Sequence, residues 1–137
     1  MKTFFDSSAF AKRYVEEAGS ETVDNLCMGA TELALSVVCI PEILSALNRR
    51  VRERDLSARQ YRTAREALFD EISDAEIISL TPDVISICTT VLETSPVRAM
   101  DALHVACAVR WGAELFVSAD QRQIAAAKKA GLRTKLV

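Results

Sequence analysis

The chain has 137 residues, half of them hydrophobic, with only 4 Gly and 3 Pro, a composition that excludes a disordered or fibrous chain. Its length suits one domain, residues 1–137, with a core of its own. A formal net charge of −2 and a pI of about 5.5 argue against a protein that coats nucleic acid non-specifically, though a local cleft can still set its own field.

The predicted elements alternate strand and helix. Residues 3–5 read as a strand, followed by a helix over about 8–17. Gly19 separates a second helix, about 21–28. Leu33 to Val38 is apolar and β-branched and predicts a second strand. Pro41 opens the next helix, as proline does in a first turn, and Ile43, Leu44, Leu47 and Val51 give it one apolar stripe. Ser57 and Gln60 have the spacing of a capping box and open a helix to about residue 71. Residues 77–80 form a third strand. Thr81-Pro82 signals another helix start, with its end near residue 93. A helix over about 98–111, a fourth strand at 115–118, a helix over 121–130 stopped by Gly131, and an edge strand at 132–136 complete the pattern. The expected fold class is α/β, a central parallel sheet of about four to five strands with helices on both faces.

Cys27, Cys39, Cys88 and Cys107 form no C-x-x-C pair, and His104 is the only histidine, which argues against zinc. In their apolar surroundings these thiols read as small buried hydrophobes, suited to a reducing, cytoplasmic location. The longest apolar stretch, 33–44, is broken by Ser36, Pro41 and Glu42, so no membrane span is expected.

Four acids stand out. Asp6 and Asp120 follow the first and fourth strands, where α/β folds bind ligands; each also suits a helix N-cap. Glu42 lies in a first helical turn, either as a surface acid favoured by the helix dipole or leaning into a cleft. Asp101 and His104 interrupt a helix that is otherwise apolar almost all round. If that helix starts near Ser95-Pro96, Asp101 is too deep to cap it, and it must pair, with Arg98 one turn earlier, or hold a metal. His104 reads as a satisfied core residue or as a partner that orients a ligand. Grouped carboxylates repel unless a cation joins them, and a hard divalent ion such as Mg²⁺ favours oxygen ligands. Of the basic residues, Arg49, on the Glu42 side of its helix, and Lys12 and Arg13, shortly after Asp6, are candidate phosphate contacts.

Phe4-Phe5-Asp6-Ser7-Ser8, Pro41-Glu42-Ile43, Met100-Asp101-Ala102-Leu103-His104-Val105-Ala106 and Phe116-Val117-Ser118-Ala119-Asp120 together resemble PIN-domain ribonucleases, above all the VapC-like toxins of bacterial toxin–antitoxin pairs. The resemblance runs from Lys2 to the last strand. It implies first and fourth strands side by side. It also implies divalent-metal-dependent endoribonuclease activity, with Mg²⁺ (or Mn²⁺) held by Asp6, Asp101, Asp120 and Glu42 as the catalytic set. Ser8 and Ser118 would orient a carboxylate. An RNA substrate, a neutralising antitoxin and a homodimer are the partners implied. Some relatives carry a further acid shortly after the fourth, where this chain has Gln121, Arg122 and Gln123. Two other readings stand beside it: a non-catalytic module of the same fold that binds RNA or protein, and a metal-dependent phosphatase, which would prefer Asp-x-Asp where the chain has Asp6-Ser7-Ser8.

Overall fold

Thr3, Phe4 and Phe5 are β-branched and aromatic, and they form the middle of a central strand. The computed structural model describes residues 1–137 and has this order: β1 (Lys2–Phe5), α1 (Ser7–Phe10), α2 (Ser20–Gly29), β2 (Glu32–Ser36), α3 (Cys39–Arg52), α4 (Ala58–Ser73), β3 (Glu76–Ile78), α5 (Pro82–Thr94), α6 (Ala99–Trp111), β4 (Leu115–Ser118), α7 (Gln121–Lys129) and β5 (Thr134–Leu136). The five strands form one sheet in the order β3-β2-β1-β4-β5, and every neighbouring pair is parallel. The expected α/β class and the pairing of first and fourth strands both hold.

Alternation along the strands builds two cores. Phe4, Ala34 and Phe116 face α5, α6 and α7. Phe5, Leu35, Leu115 and Val117 face α1 to α4. Phe4 and Phe116 stack across the β1–β4 pair with ring centroids 5.8 Å apart. Two starts signalled in the sequence carry the expected caps. Ser57 and Gln60 bond reciprocally at the head of α4, and Thr81 accepts from the Val84 amide at the head of α5. Gly131 has φ +93° just past α7, a left-handed conformation that suits glycine. All four cysteines are free thiols, and burial pushes each of them up. No helix is long and apolar enough to cross a membrane.

Two boundaries near the site differ from expectation, several others shift by one or two residues, and the start of α6 near residue 98 holds. The first helix stops at Phe10 and tightens into a 3₁₀ turn over Ala11–Arg13 instead of reaching residue 17; Tyr14 and Val15 pack against the core there. The second strand ends at Ser36, because the Ser36 hydroxyl accepts from the Val38 amide at 3.3 Å and turns the chain. The following helix therefore starts at Cys39, and Pro41 is its third residue, still in the turn where amides lack helical partners. Arg98 is extended (φ −77°, ψ 162°), so α6 begins at Ala99. Asp101 thus lies in the first turn of its helix and not deep inside it.

Truncating Phe4 to Ala removes a fully buried ring from the sheet centre and should cost about 3–5 kcal/mol. Ser57→Ala removes an exposed cap and should cost about 1 kcal/mol. Urea unfolding of both variants checks the ranking; equal losses would contradict this account of the core.

Candidate active site

β1 and β4 are neighbours from which the chain departs to opposite sides of the sheet, and the crevice beyond such strand ends is where α/β folds bind ligands. Asp6 caps α1 here, accepting from the Ala9 amide at 2.9 Å. It is fully buried. Its Oδ1 accepts from the Ser8 hydroxyl at 2.8 Å, and its Oδ2 accepts from the Ser118 hydroxyl at 2.5 Å. Ser8 accepts from the Ala119 amide at 3.0 Å, and Ser118 accepts from the Asp120 amide at 2.9 Å. Asp6 is therefore both a cap and the knot joining the ends of β1 and β4. Burial raises its carboxyl above the usual range, while the His104 ring and the hydroxyl and amide donors offset part of the rise.

Glu42, near the start of α3, points back over the strand ends. Its Oε1 accepts from Ser7 Oγ at 2.7 Å and lies 2.5 Å from His104 Nε2. A carboxylate oxygen can only accept, so Nε2 carries the proton in this contact. His104 is 1% exposed, and its Nδ1 is buried without a partner. Burial pushes the Glu42 carboxyl up, but the bonds from His104 and Ser7 outweigh it and hold the group below its usual range.

Glu42, Asp101 and Asp120 line one cleft of about 680 Å³, with Arg98 and Arg122 at its rim. Asp101 accepts from Gln123 Nε2 at 3.2 Å. Burial, then the neighbouring Asp120 charge, raises its carboxyl, and Glu42 adds to the rise. Asp120 caps α7 by accepting from the Arg122 amide at 2.8 Å. No ion pair joins Arg98 to Asp101, and Asp101 is half-buried rather than fully so.

The donor chemistry of this cleft fits a hard divalent cation. All of its acids are oxygen donors, and their mutual repulsion is visible in the raised Asp101 carboxyl. As they stand, no three side chains of the His, Cys, Asp and Glu types converge on one point. Asp120 is turned to its helix cap, Asp101 to Gln123 and Glu42 to Ser7 and His104, so coordination requires these side chains to swing toward the cleft centre.

Of the candidate phosphate contacts, Lys12 pairs with Glu17 at 3.4 Å and Arg13 with Glu71 at 2.8 Å; Arg49 is exposed. Ser7 and Gln123 escaped sequence reasoning. Ser7 gave no signal beside the equally plausible Ser8. Gln123 did give one, as a polar residue beside the buried Ile124, Ala126 and Ala127 of α7.

Fold and cleft define an α/β protein with a carboxylate cleft at a parallel-sheet switch point. The profile of the PIN domain family matches residues 3–129. The chain belongs to the PIN domain family. No curated protein matches it in sequence. Several solved structures share its fold. One is VapC20 of Mycobacterium tuberculosis, described as a Sarcin-Ricin loop cleaving toxin, at 20% identity and TM-score 0.71 over 91% of this chain and 95% of that one. A toxin–antitoxin complex from Klebsiella pneumoniae matches at 13% identity and TM-score 0.69, over 90% and 91%. VapBC2 of Rickettsia felis, bound to a promoter DNA fragment, matches at 12% and 0.70, over 100% and 99%.

The raised Asp6 carboxyl has a consequence for stability. Its folded-state value lies above the unfolded value near 3.8, so the native state binds that proton more tightly. The group therefore lowers stability as pH rises from about 3.8 through the folded value, and the cost persists above it. In metal-free buffer, Asp6→Asn should melt above the parent at neutral pH, with the gap closing in acid. Melting curves across that range check this; a variant less stable than the parent at neutral pH would contradict it.

Proposed function

We propose that the chain is a divalent-metal-dependent endoribonuclease that hydrolyses RNA phosphodiester bonds, and the toxin of a toxin–antitoxin pair. The observation that carries this reading is the meeting of Glu42, Asp101 and Asp120, from three separate elements, in one cleft of a PIN fold. Mg²⁺ or Mn²⁺ held there would activate a water and stabilise charge on the leaving oxygen. Asp101 and Asp120 would be ligands on one wall and Glu42 a ligand or the orienter of the attacking water on the other. Asp6 would complete the acid set; it is buried at the end of β1 and does not line the cleft, and Ser8 and Ser118 orient its carboxylate. Ser7 and His104 fix the Glu42 carboxylate and favour its ionised form, which suits it to accept a hydrogen bond from that water.

The antitoxin partner is supported by the toxin–antitoxin complexes among proteins of the same fold. Ile85 and Leu92, exposed on α5, supply apolar surface for a homodimer. The reading takes residues 1–137 as one PIN domain, and the four free thiols suit a cytoplasmic setting.

Asp101→Asn keeps the shape of the side chain and removes its charge. It should lower RNA cleavage by at least about a hundredfold while the protein stays folded. Mn²⁺ should raise the melting temperature of the parent, by linkage, and do so far less for the variant. Mapping new RNA 5′ ends after expression without a partner would show discrete cuts for the parent only. A fully active Asp101→Asn protein would sink the assignment.

A further inference from the structure

The cleft has two unlike flanks. On the α1–α3 side an adjoining hollow is lined by apolar Ala11, Val15, Ile43 and Leu47 and carries Glu17 on its rim. Arg49 makes no ion pair but does not line this hollow, and the other cations near it already face carboxylates. Lys12 Nζ donates to the Ala18 carbonyl at 2.7 Å and pairs with Glu17, Arg13 pairs with Glu71 and Asp24, and Arg50 approaches Glu17 at 3.9 Å. On the α6–α7 side the situation reverses. Arg98 and Arg122 line the same cleft as three carboxylates, both are exposed, and neither guanidinium makes an ion pair. Their donors are unspent, and a guanidinium fork matches the oxygens of a phosphate. Their backbones are fixed: Arg98 is the residue from which α6 starts, and the Arg122 amide is held by the Asp120 cap. Arg122 also lines the next hollow, between Thr94–Pro96 and α7, whose wall includes Gln121 and Lys129.

We propose that Arg98 and Arg122 seat the RNA backbone phosphates that flank the bond to be cut. The strand then lies on the α6–α7 side of the acids and continues across Arg122 into the hollow against Thr94–Pro96, not along the α1–α3 flank. This rests on the nuclease reading for the position of the cut bond, but the phosphate contacts themselves do not depend on cutting. A strand entering a cleft of carboxylates needs positive charge at its rim, and phosphate contacts of this kind position the substrate without reading its sequence.

The test separates binding from cutting. Affinity of a short fluorescein-labelled single-stranded RNA is measured by anisotropy in the Asp101→Asn background, over a range of salt. Adding Arg98→Gln and Arg122→Gln should weaken binding roughly tenfold. It should also reduce the slope of log affinity against log salt by about 1.4, two contacts at about 0.7 each for a single strand. Arg98→Lys with Arg122→Lys should recover most of the slope. The control is Arg52→Gln with Arg62→Gln, which removes the same charge elsewhere; Arg52 lies roughly 15 Å along α3 from Glu42 at 1.5 Å per residue. In the otherwise native chain, Arg98→Gln/Arg122→Gln should raise KM for RNA.

Unchanged affinity and slope in the cleft variant, an equal loss in the control, or no RNA binding at all would each overturn the inference. The nuclease reading fails separately. If the native chain cuts nothing yet binding still depends on Arg98 and Arg122, that reading falls and the RNA path stands. If the native chain cuts and the cleft variant cuts with the same KM, the path falls and the nuclease stands.

Discussion

A buried carboxylate at the end of the central strand constrains the rest of this molecule. Asp6 has no solvent and no ion-pair contact, only the nearby His104 ring, so its charge must be met by hydrogen bonds or be neutralised. Two donors, the Ser8 hydroxyl and the Ala9 amide, come from its own strand-to-helix turn. The third, Ser118, belongs to β4 and reaches Asp6 only if β4 lies directly beside β1. That adjacency makes β1 and β4 the switch point and brings Asp120, two residues past Ser118, to the same edge. A group that resists burial thus ties the topology to the site, and the lost stability is of the kind expected where a site is built against the preferences of the fold.

A second polar link works between layers. α3 packs with the core on one face of the sheet and α6 with the core on the other. His104 reaches from α6 over the strand ends to Glu42 on α3. α6 is apolar almost all round because it packs on both the sheet and α5, so a polar tip there needs a partner. Glu42 provides it, and in return loses its freedom to swing out with the helix surface. Ser7 fixes the same oxygen from the β1–α1 turn. The carboxylate is held by three elements that meet only in the folded chain.

Much of this was legible in the sequence, and the failures are instructive. Asp6 and Asp120 stand out because strand ends in an alternating α/β chain mark the crevice; both cap helices, and Asp120 also lines the cleft while Asp6 is buried at the end of β1. Glu42 stood close to even between surface and cleft, since a helical wheel shows which residues share a face but not that a histidine sixty-two positions away will bond it. Val37 and Val38 looked like strand because β-branching outweighs a single serine in any propensity count, whereas the Ser36 side chain turns the chain before them. Asp101 stands out by its apolar neighbours, with a cap excluded only if its helix, expected from about residue 98, starts as early as Pro96. The helix begins later, so the residue matters because the first turn of α6 faces the cap of α7, and not because it is deeply buried. The cations were the hardest to place. A place shortly after Asp6 points to Lys12 and Arg13, but Glu71, which occupies Arg13, lies on α4 and is invisible to local reading.

The same contrast shows why a net charge of −2 is no obstacle to the proposed RNA substrate. Charges further apart than about 8 Å are largely screened at physiological salt, so the bulk sum says little about one cleft. What counts is the local arrangement, and here the signs are separated. The α1–α3 flank spends Lys12 and Arg13 on Glu17 and Glu71 and presents an apolar wall. The acids occupy the middle, where their repulsion favours a bound divalent ion. The α6–α7 flank keeps two guanidinium groups unspent beside those acids. Asp120 gives one oxygen to the amide at Arg122, and Asp101 gives one to Gln123. Each carboxylate keeps its second oxygen as an acceptor, and neither arginine pairs with it. Both signs of charge therefore stand side by side in one cleft.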